Sequence, residues 1–460
     1  MDGISRMSAG DTCHAERCFR EALMIDPGLA EAHANLALLL EQQGQLVAAE
    51  DHYRHAVFLN PALEKCHLNL GALLTNQKRF AEAEAAYKKA LELNPDFTAA
   101  WSNLGVLLAC RKQEQDAEEC YRKAMQLDSG YQLARFNLSY LLLRQGRFEE
   151  GWRCLEARNW YAALESRLPC PRWRGESLLG CSLLIGFEAG HGDMIQLCRY
   201  AKSLKKQGVA RISLICHPAL LNLFVSLDDV DQLIPFNEGL PSEKWNFWTP
   251  PFSIPYYSGT RLDSIPGELP YLRANPKLIK KWWIEISREC HPAELRVGLV
   301  WRGNPDFEND SERSLPSLEL LEPLGAFAGV RFFSLQKGAG EQEAAHPPDK
   351  LPLVNLGSQV RDFADTAAIV ANLDLVISVD TAVAHLAGAL GKKCWVLLPD
   401  YMTDWRWLVE RNDSPWYPEV MHLFRQSSRG TWGEVITELR QALSDLLQQR
   451  NSTAFHQNRG

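Results

Sequence analysis

The segment from Glu64 to Pro95 reads EKCHLNLGALLTNQKRFAEAEAAYKKALELNP, and it indicates the fold of the first third of the chain. Its apolar residues recur with the spacing of two amphipathic helices, and a short polar segment lies between them. The closing proline has no N–H group and disfavours helix in the residue before it, so the second helix must end there. The stretch therefore predicts a pair of helices, over 64–76 and 80–93.

The same pattern recurs with a period of 34 residues. Four columns share this period: an Asn-Leu-small triplet, an alanine, an aromatic residue and a proline. They are Asn35-Leu36-Ala37, Asn69-Leu70-Gly71, Asn103-Leu104-Gly105 and Asn137-Leu138-Ser139; Ala22, Ala56, Ala90 and Ala124; Phe19, Tyr53, Tyr87 and Tyr121; and Pro27, Pro61 and Pro95, with Ser129 in place of the next proline. One helix pair cannot bury its own apolar face, so we expect the pairs to stack into a superhelix, with the aromatic column between neighbouring units. Several columns that agree at this period indicate tetratricopeptide repeats.

The asparagine column lies on the first helix of each pair, which forms the inner wall of such a superhelix. One interpretation is a ladder of amides that holds the backbone of a protein or peptide partner. The other is that each asparagine caps or bonds locally, since asparagine is otherwise a mediocre residue inside a helix. The candidate partner-binding residues are Asn35, Asn69, Asn103 and Asn137.

The composition excludes several classes of protein. With 46% hydrophobic and 23% charged residues, the chain of 460 residues is neither disordered nor collagen-like. The net charge of −8 argues against nucleic acid or an anionic membrane as a partner. No apolar run reaches the ~18 residues of a membrane span, and the N-terminus lacks the apolar stretch of a signal peptide. The twelve cysteines include no C-x-x-C pair, so we expect reduced thiols and a cytoplasmic protein.

Beyond the repeats, apolar runs suited to buried parallel strands alternate with helical stretches. Examples are CSLLIGFE at 181–188, RISLIC at 211–216 and LVISV at 375–379. The alternation predicts two doubly wound lobes, whose ligands bind beyond the carboxyl ends of the strands. We thus expect an α-helical solenoid followed by two Rossmann-like α/β lobes. The expected boundaries are 1–160 for the repeats, 161–180 for a linker, 181–290 for the first lobe, 291–450 for the second lobe and 451–460 for a disordered tail.

The sharpest motif runs from Ser378 to Gly391 and reads SVDTAVAHLAGALG. An apolar strand stops at Asp380-Thr381 and a helix of small residues starts at once, so either of these two residues can cap the helix. The N–H groups and the positive dipole end at such a start form an anion site that suits a diphosphate. An ordinary strand-to-helix turn with a capped helix is the alternative.

Two further loops follow predicted strands. In the segment 190–193, Gly-His-Gly-Asp, the two glycines give the backbone conformational freedom. The aspartate stands at the start of a helix, where an acid also serves as a simple cap. Arg302 and Arg313 suit phosphate, although arginines in loops are more often solvated. Asp229 and Asp231 have no third ligand nearby, and no histidine and cysteine set has zinc spacing, so we expect no metal site.

Taken together, these segments resemble bacterial tetratricopeptide-repeat proteins that carry a glycosyltransferase domain of the ADP-heptose:lipopolysaccharide heptosyltransferase type. The resemblance implies a GT-B fold, with the donor in the C-terminal lobe and the acceptor towards the N-terminal one. It rests on the repeats and on these stretches: PRWRGESLLG at 171–180, GHGDMIQLCRY at 190–200, DFADTAAIVANLDLVISVDTAVAHLAGALG at 362–391 and WVLLPDYMTDWRWL at 395–408.

The resemblance also implies roles for single residues. Asp193 stands where the family has its catalytic base, and Arg313 lies near the position of a lysine that contacts phosphate. Glu341 matches an acid that binds ribose. The residues that match the sugar-nucleotide site are Asp380, Thr381, Ala382, Val383 and His385. His191 and Met194 replace more usual residues, and the loops at 240–272 do not match enzymes that act on lipopolysaccharide.

The function that follows is an inverting, metal-independent transfer of a sugar, with heptose as a candidate. The donor is a nucleoside diphosphate sugar, with an ADP-sugar favoured by the resemblance, and no cofactor is expected. The repeats would recruit a protein partner or acceptor, and assembly into homo-oligomers stays open. One alternative is a repeat scaffold whose transferase domain is inactive. Another is an enzyme like O-linked N-acetylglucosamine transferase that uses a UDP-sugar.

Overall fold

The structure is a computed structural model that describes residues 5–7, 10–168, 170–241, 243–307 and 309–457. The chain divides into two compact units, Met1–Leu141 and Leu142–Gly460. The first is built from helices and the second from helices and parallel sheets. The helical solenoid and the α/β lobes that the sequence predicts are therefore both present.

Antiparallel helix pairs build the first unit, as the repeat predicts. A Cβ on Gly71 would lie 2.6 Å from the Tyr87 ring, and a Cβ on Gly105 would lie 2.7 Å from the Tyr121 ring. The glycine of the first helix thus makes room for the tyrosine of the second helix in the same repeat. These contacts lie inside a repeat, whereas the sequence predicts the aromatic column between neighbouring repeats. The described helices are α1 (Thr12–Ile25), α2 (Ala30–Gln42), α3 (Leu46–Leu59), α4 (Glu64–Asn76), α5 (Phe80–Leu93), α6 (Thr98–Cys110) and α7 (Glu114–Leu127), with α8 (Gln132–Arg144) at the boundary between the units.

The turn after each second helix repeats as well. A side-chain oxygen accepts a hydrogen bond from the backbone N–H two residues later, which closes the turn without help from the helix. The pairs are Asp26 with Gly28 at 2.9 Å, Asn60 with Ala62 at 3.1 Å, Asn94 with Asp96 at 3.2 Å and Asp128 with Gly130 at 2.8 Å. The proline that follows the first three of these polar residues reinforces the same stop signal.

The first sheet of the second unit has the strand order β3-β2-β1-β4, and each described pair of strands is parallel. Its strands are β1 (Ser182–Ile185), β2 (Arg211–Cys216), β3 (Gln232–Pro235) and β4 (Phe247–Thr249). Strands β1 and β2 are buried along most of their length, which agrees with their continuous apolar runs. The helices of this region are α9 (Phe148–Leu155), α10 (Ala162–Glu165), α11 (His191–Leu197), α12 (Tyr200–Lys206), α13 (Pro218–Phe224), α14 (Ile254–Tyr257) and α15 (Pro276–Glu289).

The second sheet has the order β10-β9-β8-β5-β6-β7, again with parallel pairs. Its strands are β5 (Leu295–Val300), β6 (Val330–Ser334), β7 (Leu353–Asn355), β8 (Leu375–Val379), β9 (Cys394–Leu398) and β10 (Met421–Arg425). The helices are α16 (Asp310–Arg313), α17 (Glu341–Ala345), α18 (Phe363–Asn372), α19 (Ala382–Ala389) and α20 (Trp432–Gln457). From β5 the chain extends the sheet first to one side, through β6 and β7, and then to the other, through β8, β9 and β10. Ligands of open α/β sheets commonly bind at the carboxyl ends of the strands at such a switch point.

The structure differs from the expected domain boundaries at α9, which the sequence assigns to the repeats. This helix lies in the second unit, where the Trp152 indole Nε1 donates to the carbonyl of Thr260 at 3.1 Å. The Trp152 ring also packs edge-on against Trp405, with centroids 5.2 Å apart. A helix with so large an apolar residue needs a partner surface, and the α/β unit provides it.

The expected linker is anchored at Trp173, whereas the tail differs from the prediction. Trp173 is buried, and its backbone N–H donates to the carbonyl of Trp248 at 2.7 Å, so this segment is anchored to β4. Pro169 of the same segment lies outside the described residues. The tail is expected to be disordered from Asn451, but α20 continues to Gln457, and the last three residues lie outside the described part of the chain.

Candidate active site

The two motifs that follow β1 and β8 meet in the second unit. A Cβ on Gly192 would lie 2.9 Å from the Cδ2 atom of His385 and 3.4 Å from the Cα atom of Ala382. A side chain at position 192 would therefore push the start of α11 away from the start of α19. Glycine at this position lets the two helix starts pack together, which brings Asp193 beside the Asp380–His385 turn.

Asp193 is held from two sides. Its Oδ2 accepts a hydrogen bond from the backbone N–H of Gly190 at 2.7 Å, and its Oδ1 accepts from Nη2 of Arg406. Burial raises the pKa of the Asp193 carboxyl, and the charge of Arg406 acts in the opposite direction. The carboxylate is thus a partly desolvated acid with one strong cationic partner.

Arg406 is the centre of this arrangement and is only 7% exposed. Besides Asp193, its guanidinium donates to Oε1 of Gln196 and, at 2.8 Å, to Oδ2 of Asp404. The guanidinium carbon also lies 4.6 Å from the centroid of the Trp405 ring. One buried cation therefore balances two acids and ties the segment at 404–406 to the first turns of α11.

The start of α19 is free of a side-chain cap, so the expectation that Asp380 or Thr381 caps it is wrong. Thr381 is the N-cap residue, but its hydroxyl lies 2.9 Å from Oγ of Ser378 instead. The first helical hydrogen bond to the Thr381 carbonyl comes from Ala384 at 3.1 Å. The N–H groups of Ala382 and Val383 therefore stand at a helix start that favours an anion.

Asp380 lies directly before this turn and is 8% exposed. Burial raises the pKa of its carboxyl to about 6, and the neighbouring charge of Asp404 adds to the rise while Arg313 opposes it. The carboxyl is therefore neutral below about pH 6, and in that form it does not repel a phosphate bound at the start of α19.

His385 is a buried, neutral group. Its Nδ1 lies 2.9 Å from the hydroxyl of Tyr417, and its ring stacks on Trp407 with centroids 5.2 Å apart. Burial lowers the pKa of His385 well below its usual value, and the charges of Arg406 and Arg199 act in the same direction. His385 can shape the site and hydrogen-bond there, but it supplies no positive charge.

Arg313 lies near the carboxyls of Asp193 and Asp380, whereas Glu341 pairs with a lysine. The charge of Arg313 lowers the pKa of both Asp193 and Asp380, so it lies near the site, and its guanidinium rests 4.2 Å from the centroid of the Phe307 ring. Glu341 instead forms an ion pair with Lys337 at 3.0 Å at the start of α17. The structure shows no contact between Glu341 and the other predicted residues among the described part of the chain.

Sequence reasoning missed Arg406, Asp404 and Gln196. Arg406 stands 213 positions after its partner Asp193, and no local spacing connects the two. The signal that could have found it is the stretch at 395–408, where an arginine sits between two tryptophans in an otherwise apolar segment. A charge in that setting needs a buried partner.

The described residues contain neither a candidate metal site nor a candidate membrane span. No group of three or more His, Cys, Asp or Glu side chains there could hold a metal ion. Among the same residues, no helix combines the length and the apolar character needed to cross a membrane.

Comparison with known proteins gives two kinds of match in the sequence. Models described as tetratricopeptide repeat match residues 1–64, 64–97 and 86–119. The model described as glycosyltransferase family 9 (heptosyltransferase) matches residues 319–397. This match includes the Asp380–His385 turn and leaves out Asp193 and Arg406.

A curated relative is protein FlbA of Caulobacter vibrioides, which is 26% identical over 331 residues. The alignment covers 65% of this chain and 53% of FlbA, so the chain spans about half the length of the curated relative that it matches.

Solved structures with a partial likeness include PilF of Pseudomonas aeruginosa, with a TM-score of 0.32 and 26% identity over 34% of this chain and 71% of that chain. Another is YrrB, described as a TPR protein with an unusual peptide-binding site, with a TM-score of 0.30 and 19% identity over 36% of this chain and 88% of that chain. The sequence matches are therefore to tetratricopeptide repeats within residues 1–119 and to glycosyltransferase family 9 over residues 319–397.

Proposed function

We propose that the protein is an inverting, metal-independent glycosyltransferase that moves a sugar, with heptose as a candidate, from a nucleoside diphosphate sugar to an acceptor hydroxyl. The observation that carries the proposal is the packing at Gly192. It sets a half-buried carboxylate, Asp193, near a helix start at Ala382 that favours a diphosphate. A base and a leaving-group site next to each other are what a single displacement at a sugar carbon needs.

In this mechanism the acceptor oxygen attacks the anomeric carbon of the donor sugar from the side of Asp193. The new bond forms between that oxygen and the anomeric carbon, and the bond from this carbon to the diphosphate oxygen breaks. The acceptor proton passes to the Asp193 carboxylate, and the electron pair of the broken bond stays on the nucleoside diphosphate. Attack opposite the leaving group inverts the anomeric centre.

Backbone N–H groups and arginines would stabilise the leaving diphosphate. The N–H groups of Ala382 and Val383 point from the start of α19, and Arg313 and Arg406 lie beside the same turn. Arg406 also holds Asp193 as its ion-pair partner. A diphosphate that draws Arg406 towards itself would weaken this pair and leave Asp193 more basic, so donor binding would prepare the base.

We expect a nucleoside diphosphate to bind without a divalent metal, and Ala382→Asp to weaken that binding about 10-fold or more. A carboxylate at the start of α19 repels the diphosphate, whereas an acid at an ordinary helix start is well tolerated. Calorimetry with ADP, GDP and UDP, each with and without a chelator, measures the effect. Ala99→Asp is the matched control, because residue 99 lies in the first turn of α6 within the repeats.

The results separate the alternatives. Binding that disappears with the chelator contradicts the metal-free mechanism, and unchanged affinity in Ala382→Asp places the diphosphate elsewhere. Preference for UDP supports an enzyme like O-linked N-acetylglucosamine transferase, whereas preference for ADP supports the ADP-sugar donor. The ion pair between Asp193 and Arg406 is the observation that favours an inactive scaffold, and intact nucleotide binding without any turnover is what that alternative predicts.

For the repeats, the proposal is that the asparagine column holds an extended segment of a protein partner or acceptor. Asn35, Asn69, Asn103 and Asn137 are all half-buried on the first helices of their units. Asn69 acts on the phenol of Tyr53, where it lowers the pKa against the rise that burial and Glu41 cause. For Asn103, the described residues include no such partner.

We expect Asn69→Ala with Asn103→Ala to weaken capture of a peptide by about 0.5–1.5 kcal/mol for each lost hydrogen bond. The peptide is one selected by display on the full-length protein, and fluorescence anisotropy gives its affinity. Nucleoside diphosphate binding serves as the internal control and should not change. If the double variant instead loses thermal stability and nucleotide binding together, the asparagines are structural and the ladder is disproved.

A further inference from the structure

Aromatic and imidazole rings gather at the carboxyl edge of the first sheet, outside the donor site. Phe187 follows β1, His217 follows β2 and Phe236 follows β3, so each stands where a parallel strand ends. His191 and Phe363 join them from the first turns of α11 and α18. We call these residues the ring cluster: Phe187, His191, His217, Phe236 and Phe363.

The rings pack against one another in a continuous group. Phe236 stacks on Phe187 with centroids 5.2 Å apart and planes 13° apart, and it stacks on His217 at 5.4 Å. His191 meets His217 edge-on at 4.4 Å and Phe363 at 5.2 Å. Phe236 remains 48% exposed beside its two stacked partners.

The ring cluster lies beside the predicted base. His191 stands two residues before Asp193 in the first turn of α11. Next to Phe363, the Asp362 carboxylate at the N-cap of α18 accepts a hydrogen bond from the Asn222 amide of α13 at 2.7 Å, so the two α/β lobes meet here. The ring cluster and the proposed base therefore share the first turn of α11.

The cluster also offers polar atoms without formal charge. Nδ1 of His217 accepts a hydrogen bond from the backbone N–H of Ala219 at 3.1 Å, so in the neutral ring the proton sits on Nε2, which is a donor. Nε2 of His191 is buried and has no hydrogen-bond partner among the described residues. Burial lowers the pKa of His191, and the neighbouring His217 acts in the same direction, so His191 is neutral near pH 7.

We infer that the ring cluster is the acceptor subsite and that it binds a neutral sugar ring. A pyranose has an apolar C–H face that stacks on aromatic rings and hydroxyls that hydrogen-bond to imidazole nitrogens. A phosphorylated or carboxylated acceptor would lack a cation among these five residues. An aromatic peptide side chain would leave the imidazole nitrogens unsatisfied, which is costly for buried polar atoms. This inference rests on the proposed function, because it assigns the acceptor of that reaction.

Saturation-transfer NMR on the full-length protein tests the subsite without any turnover. The probes are methyl α-D-mannopyranoside and methyl β-D-glucopyranoside as neutral rings, glucose 6-phosphate as a charged ring, and N-acetylphenylalaninamide as an aromatic peptide group. We expect saturation of the C–H protons of at least one neutral pyranoside and weaker signals from the other two probes. Phe236→Ala should weaken the pyranoside about three- to tenfold, as the loss of one aromatic contact implies.

One control variant and one further test variant accompany Phe236→Ala. Phe58→Ala removes a phenylalanine that is 82% exposed on α3, and it should leave pyranoside binding unchanged. His217→Ala keeps the stacked phenylalanines but removes the imidazole donor, and it should also weaken the pyranoside. Melting temperatures within a degree or two of the parent confirm that each variant is folded.

Some results would overturn the inference. They are the absence of saturation for both pyranosides, equal binding in Phe236→Ala and the parent, or stronger binding of the charged or the peptide probe. The proposed function has its own test in nucleotide calorimetry. Nucleotide binding without pyranoside binding removes the subsite alone, whereas pyranoside binding without nucleotide binding removes the transferase.

Discussion

Asp193→Asn is expected to lower the rate of sugar transfer by a factor on the order of 10² to 10⁴, with little change in the affinity for the nucleoside diphosphate. Asparagine keeps the size of the side chain and can still accept the N–H of Gly190, but its amide cannot take the acceptor proton at neutral pH. The diphosphate site at the start of α19 lies on another element. Any change should be a modest gain in affinity, because Arg406 then no longer has Asp193 as a charged partner.

The measurement is the release of nucleoside diphosphate from the donor that calorimetry identifies, in the presence of the acceptor. Asp404→Asn is the matched control, because Asp404 is the other acid bound to Arg406 and stands outside the proposed proton transfer. We expect it to retain more than about a tenth of the activity. Near-normal turnover in Asp193→Asn would remove this residue from the mechanism, and equal losses in both variants would show that the ion-pair network matters rather than the base.

Arg406→Met is expected to lower the free energy of unfolding by about 3–5 kcal/mol near neutral pH, because it leaves Asp193 and Asp404 without their buried cation. Methionine fills similar space, so the loss reports mainly on charge. Arg429→Met is the matched control. Arg429 also pairs with an acid, Glu312 at 2.7 Å, but its side chain is 44% exposed, and exposed pairs contribute about 0–1 kcal/mol.

The pH dependence of this loss has a definite sign. Arg406 lowers the pKa of Asp193 in the folded protein, so its removal raises that pKa further above the value in the unfolded chain. The folded variant then holds a proton that the unfolded chain releases, and its stability falls as the pH rises through the raised pKa. Urea unfolding should thus show a larger deficit at about pH 8 than at about pH 5. A deficit that does not depend on pH would mean that packing, rather than charge, explains the loss.

The repeats show how far local sequence can go. The 34-residue period predicts the helix pairs, and the structure places α4 over Glu64–Asn76 and α5 over Phe80–Leu93, as the stretch at 64–95 predicts. The apolar runs at 211–216 and 375–379 likewise become strands β2 and β8. Both predictions rest on patterns among residues that are close in the chain or recur along it, so a single sequence is enough to make them.

The α9 helix shows what the local sequence pattern does not predict. The repeat pattern assigns it to the solenoid, but Trp152 packs against Trp405 and Trp416 in the α/β unit. The pattern reveals an apolar face and does not reveal which surface covers it. The sequence likewise predicts a disordered tail from Asn451, whereas α20 continues to Gln457. The residues of this stretch are polar, and no local signal favours helix or coil there.

The helical repeats, the alternation of strands and helices, and the two loops that end in Asp193 and Asp380-Thr381 can be predicted from the sequence, because residue spacing and turn residues encode these features locally. Three contacts are visible only in the folded protein: Gly192 lets these loops touch, Arg406 pairs with Asp193, and rings from three strand ends gather into one cluster. Each of these contacts joins residues far apart in the chain. Their energy comes from burial and charge pairing that exist only after the sheets have formed, so no local pattern records them.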